Sequence, residues 1–312
     1  MRYLSLCSGI EAATVAWNPL GFKATAYSEI EPYSCHLLNH YYPETPNLGD
    51  MSEYSSWPEL EFDLSVAGTP CQSFSIVGRR AGLDDPRGHL ALIYLGIVRK
   101  FRPRWFLWEN VAGVLSSGGN RDFASFLSTL AQLGYGYAYR ILDARYFGVP
   151  QSRRRVYVVG YLGDWRCAAA VLFQPGTLQP ATRKDGETWT RTTSFQHGTE
   201  EYGRGQYPVG SQNVAGSLRK HRGSGYRKNG GPVEGFALYA NAVRHLTPVE
   251  WERLQGFPDN YTRIPYKTHD AAPDNYRYAA LGNSMAVPVM RWLGERIQAV
   301  DQIKKSWTNS QD

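Results

Sequence analysis

Up to about residue 162 the chain alternates short apolar runs with longer stretches in which apolar residues recur at helical spacing. The short runs at 3–6, 23–28, 64–67, 105–109, 138–142 and 156–160 predict strands. Between them, 12–17, 31–39, 89–101 and 123–133 predict helices. In the third helix Leu90, Ile93, Tyr94, Ile97 and Val98 share a face, and Pro103 stops the run. A further short strand is predicted to end at Asp50, after Gly49. Alternating strands and helices imply an α/β domain with a mostly parallel sheet covered on both faces. Ligands of such sheets bind beyond the carboxyl ends of the strands. Near the end of the chain, 247–255 predicts a helix with Thr247 as N-cap and Glu250 three residues on, a capping box. A closing helix is predicted over 289–304.

The segment from 163 to 240 breaks this rhythm, with nine glycines between 201 and 235 and little periodicity of either kind. Charge separates there too. The whole chain has 34 Lys+Arg against 28 Asp+Glu, a net of +6. Residues 151–230 hold 13 basic and 5 acidic residues, a net of +8, which leaves the remainder slightly acidic at −2. A cluster such as Arg219-Lys220-His221-Arg222 is what phosphate contacts need, although a solvated, flexible insertion reads the same way. The division expected is a catalytic domain over 1–162, a smaller recognition domain over 163–240, and a segment over 241–312 that completes the first.

Composition removes several classes. With 42% hydrophobic and 20% charged residues in 312, the chain is globular and has no run near the ~18 apolar residues of a membrane span. Its start lacks the basic and apolar regions of a signal peptide, so the expected location is the cytoplasm of a bacterial or phage-infected cell. Cys7, Cys35, Cys71 and Cys167 form no CxxC pair and the histidines no ligand spacing, so no metal is expected.

Chemistry-bearing residues gather at the predicted strand ends. Gly9 and Ile10 follow the first strand, where a glycine lets a ligand approach the backbone. Glu29 ends the second, well placed for ribose hydroxyls. Taken singly, the glycine is ordinary punctuation, and Glu29 or Asp50 fits a surface residue or a helix cap as well. After 64–67 comes Gly68-Thr69-Pro70-Cys71-Gln72, a cysteine on a stiffened loop past a strand end. That suits a nucleophile, though a lone cysteine also fits a buried structural thiol. The strand ending Glu109-Asn110-Val111 delivers an acid to the same rim, where apolar surroundings would raise its pKa. Arg153 and Arg155 share a face by alternation.

These residues together resemble the cytosine-C5 DNA methyltransferases. Gly68-Thr-Pro-Cys71-Gln is similar to that family's nucleophile loop, Glu109-Asn110-Val111 to its acid motif, and Gln151-x-Arg153-x-Arg155 to its arginine motif. The stretch from Arg244 through Gly256-Phe257-Pro258 is similar to the segment anchoring the recognition domain, and Gly282-Asn283-Ser284 to the last motif. The motifs fall in the family's order and cover most of the chain outside 163–240.

The resemblance implies a Rossmann-like S-adenosylmethionine-dependent fold with a small, mostly irregular or β recognition domain. It further implies methylation of C5 of a flipped cytosine within a specific sequence of duplex DNA, leaving S-adenosylhomocysteine. Cys71 would add to C6, Glu109 would stabilise the adduct at N3 and the exocyclic amine, and Arg155 with Arg153 would orient the ring. Cys7, Gly9, Ile10, Glu29, Ile30, Asp50, Met51, Pro70, Leu90, Asn283 and Ser284 would bind the cofactor. Gln72, Ser75, Arg87, Gln151, Arg219, Lys220 and Arg222 would meet DNA. A monomer is expected, and a cognate restriction endonuclease need not be bound to it. Three positions depart from the family pattern: Cys7 where phenylalanine is usual, Glu11 where a second glycine is common, and Ile30 where an aromatic is common. A tRNA cytosine methyltransferase is the alternative, but the Cys-Phe-Thr signature of that branch is absent. A catalytically inactive DNA-binding module would have no use for Cys71, Glu109 and Arg155, and a nicotinamide dehydrogenase would need GxGxxG after the first strand.

Overall fold

Six strands form one sheet in the computed structural model, which describes residues 1–70, 90–173, 236–239 and 242–309. Their spatial order is β2 (Lys23–Ser28), β1 (Arg2–Leu6), β3 (Leu64–Ala67), β4 (Trp105–Val111), β6 (Arg154–Leu162) and β5 (Tyr135–Asp143). Strands β1 to β4 run parallel, linked by α1 (Ala12–Trp17), α2 (Pro32–Tyr41) and α3 (Leu90–Phe101), and α4 (Arg121–Gln132) leads on to β5. The short strand expected at Asp50 reduces to a single bridge, Asn47 with Tyr27.

β6 is antiparallel to both neighbours. The connection over 144–153 is too short for a parallel crossover, which takes a dozen residues or more, so the chain returns beside β5 in the opposite direction. The reversal matters for the site. It brings the beginning of β6 to the rim where the other strands end, with Val111 opposite Arg155 and Glu109 opposite Tyr157.

Both faces of the sheet are buried, which is why the strands read as continuous apolar runs. Trp105 and Leu107 of β4 enter one layer, with α1, α5 (Trp165–Leu172) and α8 (Val287–Asn309). Phe106 and Trp108 enter the other, with α3 and α4. α5 lies beyond the domain boundary expected at 163, and its Cys167, Ala168, Val171 and Leu172 are buried in the same core cluster as α1 and α8. The hairpin of β7 (Phe236–Tyr239) and β8 (Ala242–His245) straddles the other boundary expected, at 240.

The C-terminal segment closes the body. Trp17 donates its indole N–H to the Met290 carbonyl at 2.6 Å, and Asp301 accepts from the Trp105 indole at 2.9 Å. α6 (Pro248–Gln255) starts with the expected capping box: Thr247 N–H donates to Glu250 at 2.7 Å, and Glu250 N–H donates to the Thr247 hydroxyl at 3.4 Å. From α6, buried Glu252 accepts from the backbone of Asn260 and Thr262 and pairs with Arg277 of α7 (Asp274–Asn283) at 3.2 Å.

Candidate active site at the strand-end rim

The ends of β1 to β4, the beginning of β6 and the end of α7 meet along one rim. Its β1–β2 half has the chemistry of a nucleoside site. Cys7 and Gly9 turn sharply with φ of 50° and 56°. The turn is braced from the far end of the chain by Tyr261, whose hydroxyl donates to the Ile10 carbonyl at 2.9 Å. The Glu29 carboxylate accepts three backbone N–H groups: Gly9 at 2.6 Å, Ile30 at 2.9 Å and Glu31 at 2.8 Å. A carboxylate offers about four acceptor positions, so it retains capacity for a hydroxyl. Ile30 beside it is 67% exposed, an uncovered apolar surface suited to a planar base.

Asp50 is exposed and accepts from Ser52 N–H at 2.8 Å. The next residue, Met51, is buried with its sulfur 3.5 Å from that of Cys7, and Leu90 packs against the same apolar cluster. Burial, reinforced by the charges of Glu29 and Asp50, pushes the Cys7 thiol up to about 12. Cys7 is therefore protonated at neutral pH and unfit as a nucleophile. These residues fit S-adenosylmethionine: an acid with a spare acceptor position for a ribose hydroxyl, an open apolar surface for the adenine, and a second exposed acid for its amino group. Pro70 and Asn283 are exposed at the rim, whereas Ser284 is buried and donates its hydroxyl to the Met285 carbonyl.

In the β3–β4–β6 half, Glu109 is buried and its carboxylate lies 3.2 Å from Nε of Arg155. Its surroundings are thus not purely apolar, because a guanidinium shares the pocket. Gly68 sits close by: a Cβ there would stand 2.7 Å from Met285 Cε and 3.6 Å from Glu109 Oε2. A side chain at 68 would have to displace the end of Met285, and the three motifs converge at this point. Two contacts fix the root of the following loop. Trp108 donates its indole N–H to the Thr69 hydroxyl at 2.9 Å, and Asn110 donates its amide to the Thr69 carbonyl at 2.9 Å. Cys71, two residues on, lies outside the described residues, as do Gln72, Ser75, Arg87, Arg219, Lys220 and Arg222.

Two residues of the arginine motif are buried. Arg153 is buried and donates to the carbonyls of Gly282 at 3.4 Å and Ser284 at 2.6 Å. These contacts tie β6 to the last motif. Gln151, expected at DNA, is fully buried, and its amide donates to the Leu254 carbonyl at 3.3 Å, a contact that anchors α6. Gln255 adds a parallel tie to the Leu281 carbonyl at 2.9 Å.

Asn110 and Tyr261 are the contributors that sequence reasoning passes over. The amide of Asn110, at the end of an apolar strand beside the acid, is a readable signal. Tyr261 acts on a carbonyl 251 positions away and leaves no local trace. Among the described residues no group of three or more His, Cys, Asp or Glu side chains is placed to hold a metal ion, and no helix is long and apolar enough to cross a membrane.

A family model for the C-5 cytosine-specific DNA methylases matches residues 1–188 and 164–299. The type II methyltransferase M.HpaII of Haemophilus parainfluenzae is 29% identical over 95% of this chain and 88% of its own length. A protein of Escherichia phage P1 named DNA N-6-adenine-methyltransferase is 31% identical over 95% of this chain, which spans 61% of that protein. Among solved structures, the S. pombe Dnmt2 methyltransferase shares the fold with a TM-score of 0.66 at 20% identity, over 94% of this chain and 97% of that one. With three motifs converging at one rim and a family match along most of its length, the chain belongs to the C-5 cytosine-specific DNA methylases.

Proposed function

We propose that the protein methylates C5 of cytosine in a specific sequence of duplex DNA, and that the Glu109–Arg155 pair beside the clamped root of the Cys71 loop carries this reading. Cytosine C5 is a poor nucleophile until a group adds at C6. The Cys71 thiolate adds there, and the new bond moves electron density to C5. Glu109 stabilises the adduct by hydrogen bonding at N3 and the exocyclic amine, and Arg155 holds the carboxyl in place. S-adenosylmethionine, when bound, supplies an electrophilic methyl group. Loss of the C5 proton then expels Cys71 and restores the ring. A stacked base cannot present C6 to a thiol, so the target cytosine is flipped out of the helix. Recognition of the surrounding sequence falls to the basic segment that the body carries, with Arg219, Lys220 and Arg222 on phosphate.

Nucleoside mass spectrometry of duplex DNA incubated with the full chain and S-adenosylmethionine tests the reaction. 5-Methylcytosine is expected; N6-methyladenine, or methylated tRNA with DNA left untouched, rejects it. A duplex containing 5-fluorocytosine should trap a denaturation-resistant adduct, because fluorine cannot leave as a proton does. Cys71→Ala should abolish both the adduct and the transfer while sparing cofactor binding. A Cys71→Ala protein that still transfers methyl groups would sink the nucleophile assignment.

A further inference from the structure

Between β1 and α1, Cys7, Gly9 and Glu11 take left-handed backbone with φ of 50°, 56° and 57°. Glycine adopts that conformation freely; a residue with a side chain must be held in it. Glu11 is buried and is held on two sides. One carboxylate oxygen accepts the hydroxyl of Ser5 on β1. The other accepts the N–H of Thr14 on α1 at 3.1 Å and the Thr14 hydroxyl as well. Thr14 Oγ1 also lies 2.6 Å from the Tyr3 hydroxyl and 3.0 Å from that of Tyr27 on β2. If Thr14 gives its single proton to Glu11, both tyrosines donate to its two lone pairs, and every member is satisfied. The network joins the three elements that border the turn. Two residues before Glu11, the Gly9 N–H donates to Glu29 at 2.6 Å.

We propose that Glu11 is the positioning residue of the cofactor turn: by tying its own left-handed backbone to β1 and α1, it fixes the Gly9 N–H and thereby the Glu29 carboxylate that takes the ribose. Glu11 touches no substrate atom in this role, which rests on the S-adenosylmethionine reading above. It accounts for a glutamate at a place where glycine alone would satisfy the backbone.

Calorimetric titration of the full chain with S-adenosylmethionine and, separately, S-adenosylhomocysteine tests it. Glu11→Gly leaves the backbone free to adopt φ near 57° but removes the tether. It should raise Kd for both ligands by about 10-fold and raise the cofactor KM in step, with kcat at saturation retained within about twofold. Glu11→Gln keeps an acceptor for Thr14 N–H and adds a donor for Ser5, so it should bind both within about threefold of wild type. A Glu11→Gly protein that binds like wild type overturns the assignment. So does a loss equally large in Glu11→Gln, or one confined to the sulfonium-bearing ligand, since either would make charge and not the tether responsible. Should Glu11→Gly fail to melt cooperatively, Ser5→Ala removes one tether alone; a smaller rise in both Kd values is expected, and none overturns the proposal. Wild type that binds neither ligand removes the S-adenosylmethionine reading itself, whereas wild-type binding with an indifferent Glu11→Gly removes only the role of Glu11.

Discussion

Two carboxylates stand at the same rim and are held in opposite ways. Glu29 is gripped by three backbone N–H groups and, among the described residues, pairs with no cation. Glu109 faces the Arg155 guanidinium at 3.2 Å and takes its orientation from side chains. Backbone donors are fixed by the fold, so Glu29 presents its remaining acceptor position in an unchanging orientation, as the proposed contact with a ribose hydroxyl requires. A guanidinium on a flexible stem lets a carboxyl exchange partners as a base arrives, as catalysis requires. On the proposed function, the difference separates a half of the site that holds from a half that reacts.

The sharpest way to break that contrast is Glu109→Gln. Removing the acid while keeping its shape should lower kcat by about 10³-fold, within the range of general acid–base catalysis, and leave the Kd for S-adenosylhomocysteine unchanged. Single-turnover transfer and calorimetry check the two halves separately. A cofactor affinity that falls along with kcat would mean that the halves are not independent. Because Glu109→Gln leaves the partly buried Arg155 charge without its counter-ion, the variant's melting temperature is measured alongside.

Glu11 sharpens the holding half through its pH dependence. Burial is the main cause that pushes its carboxyl up to about 7, while hydrogen bonds from Ser5 and Thr14 pull it down and the Glu29 charge adds to the rise. The other titratable groups around it are Tyr3, Tyr27, Tyr42 and Tyr261, all with hydroxyls raised by burial and so neutral near pH 7. A raised acid contributes its stability in the protonated form. That contribution is fully present below pH ~4.5 and lost as pH climbs through about 7. The loss amounts to about 3 kcal/mol at most. Denaturant melts at pH 5 and pH 8 should therefore show Glu11→Gln gaining on wild type at the higher pH. A constant difference between the two proteins would mean that Glu11 does not change charge over this range.

Glu29→Gln should raise the S-adenosylhomocysteine Kd by about 10-fold or slightly more, the scale of one charge-assisted hydrogen bond, with kcat at saturation little altered. Equal losses in Kd and kcat would erase the distinction between holding and reacting.

How far the sequence reveals this arrangement depends on the range of each interaction. Strand ends are readable because burial on both faces of the sheet writes continuous apolar runs such as Trp105 to Trp108 into the chain. Gly9, Glu29, Gly68 and Glu109 stand out because each closely follows or ends such a run. The reversal of β6 is hidden in a length: 144–153 is too short for a crossover. α7 escapes because Arg277 interrupts its apolar face, and that arginine is buried with partners remote in sequence, Glu252 on another helix and the Thr262 hydroxyl. α5 is masked by the basic composition around it, although its Ala-rich sequence packs into the core. The contacts of Arg153 and Gln151 are hidden for a related reason: nothing local shows that these side chains donate to the carbonyls of Gly282, Ser284 and Leu254.

The smallest effect is expected at α6, where motif and chemistry part company. Thr247 belongs to a stretch carried by the family resemblance, yet its hydroxyl accepts from Glu250 N–H while Glu250 returns the contact to Thr247 N–H. Thr247→Ala breaks that exchange and leaves an N–H of the first turn without its side-chain acceptor, a loss of about 1 kcal/mol. The helix is short and its other end is fixed independently, by Gln255 on the Leu281 carbonyl and by Glu252 on Arg277. The damage should therefore stay local: a lower melting temperature, with kcat and the cofactor Kd as in wild type. DNA affinity is the discriminating measurement, because α6 follows the β7–β8 hairpin that leads out of the basic segment. If Thr247→Ala weakens DNA binding by more than its loss of stability explains, α6 does not merely brace the body but sets the angle at which the basic segment meets the duplex.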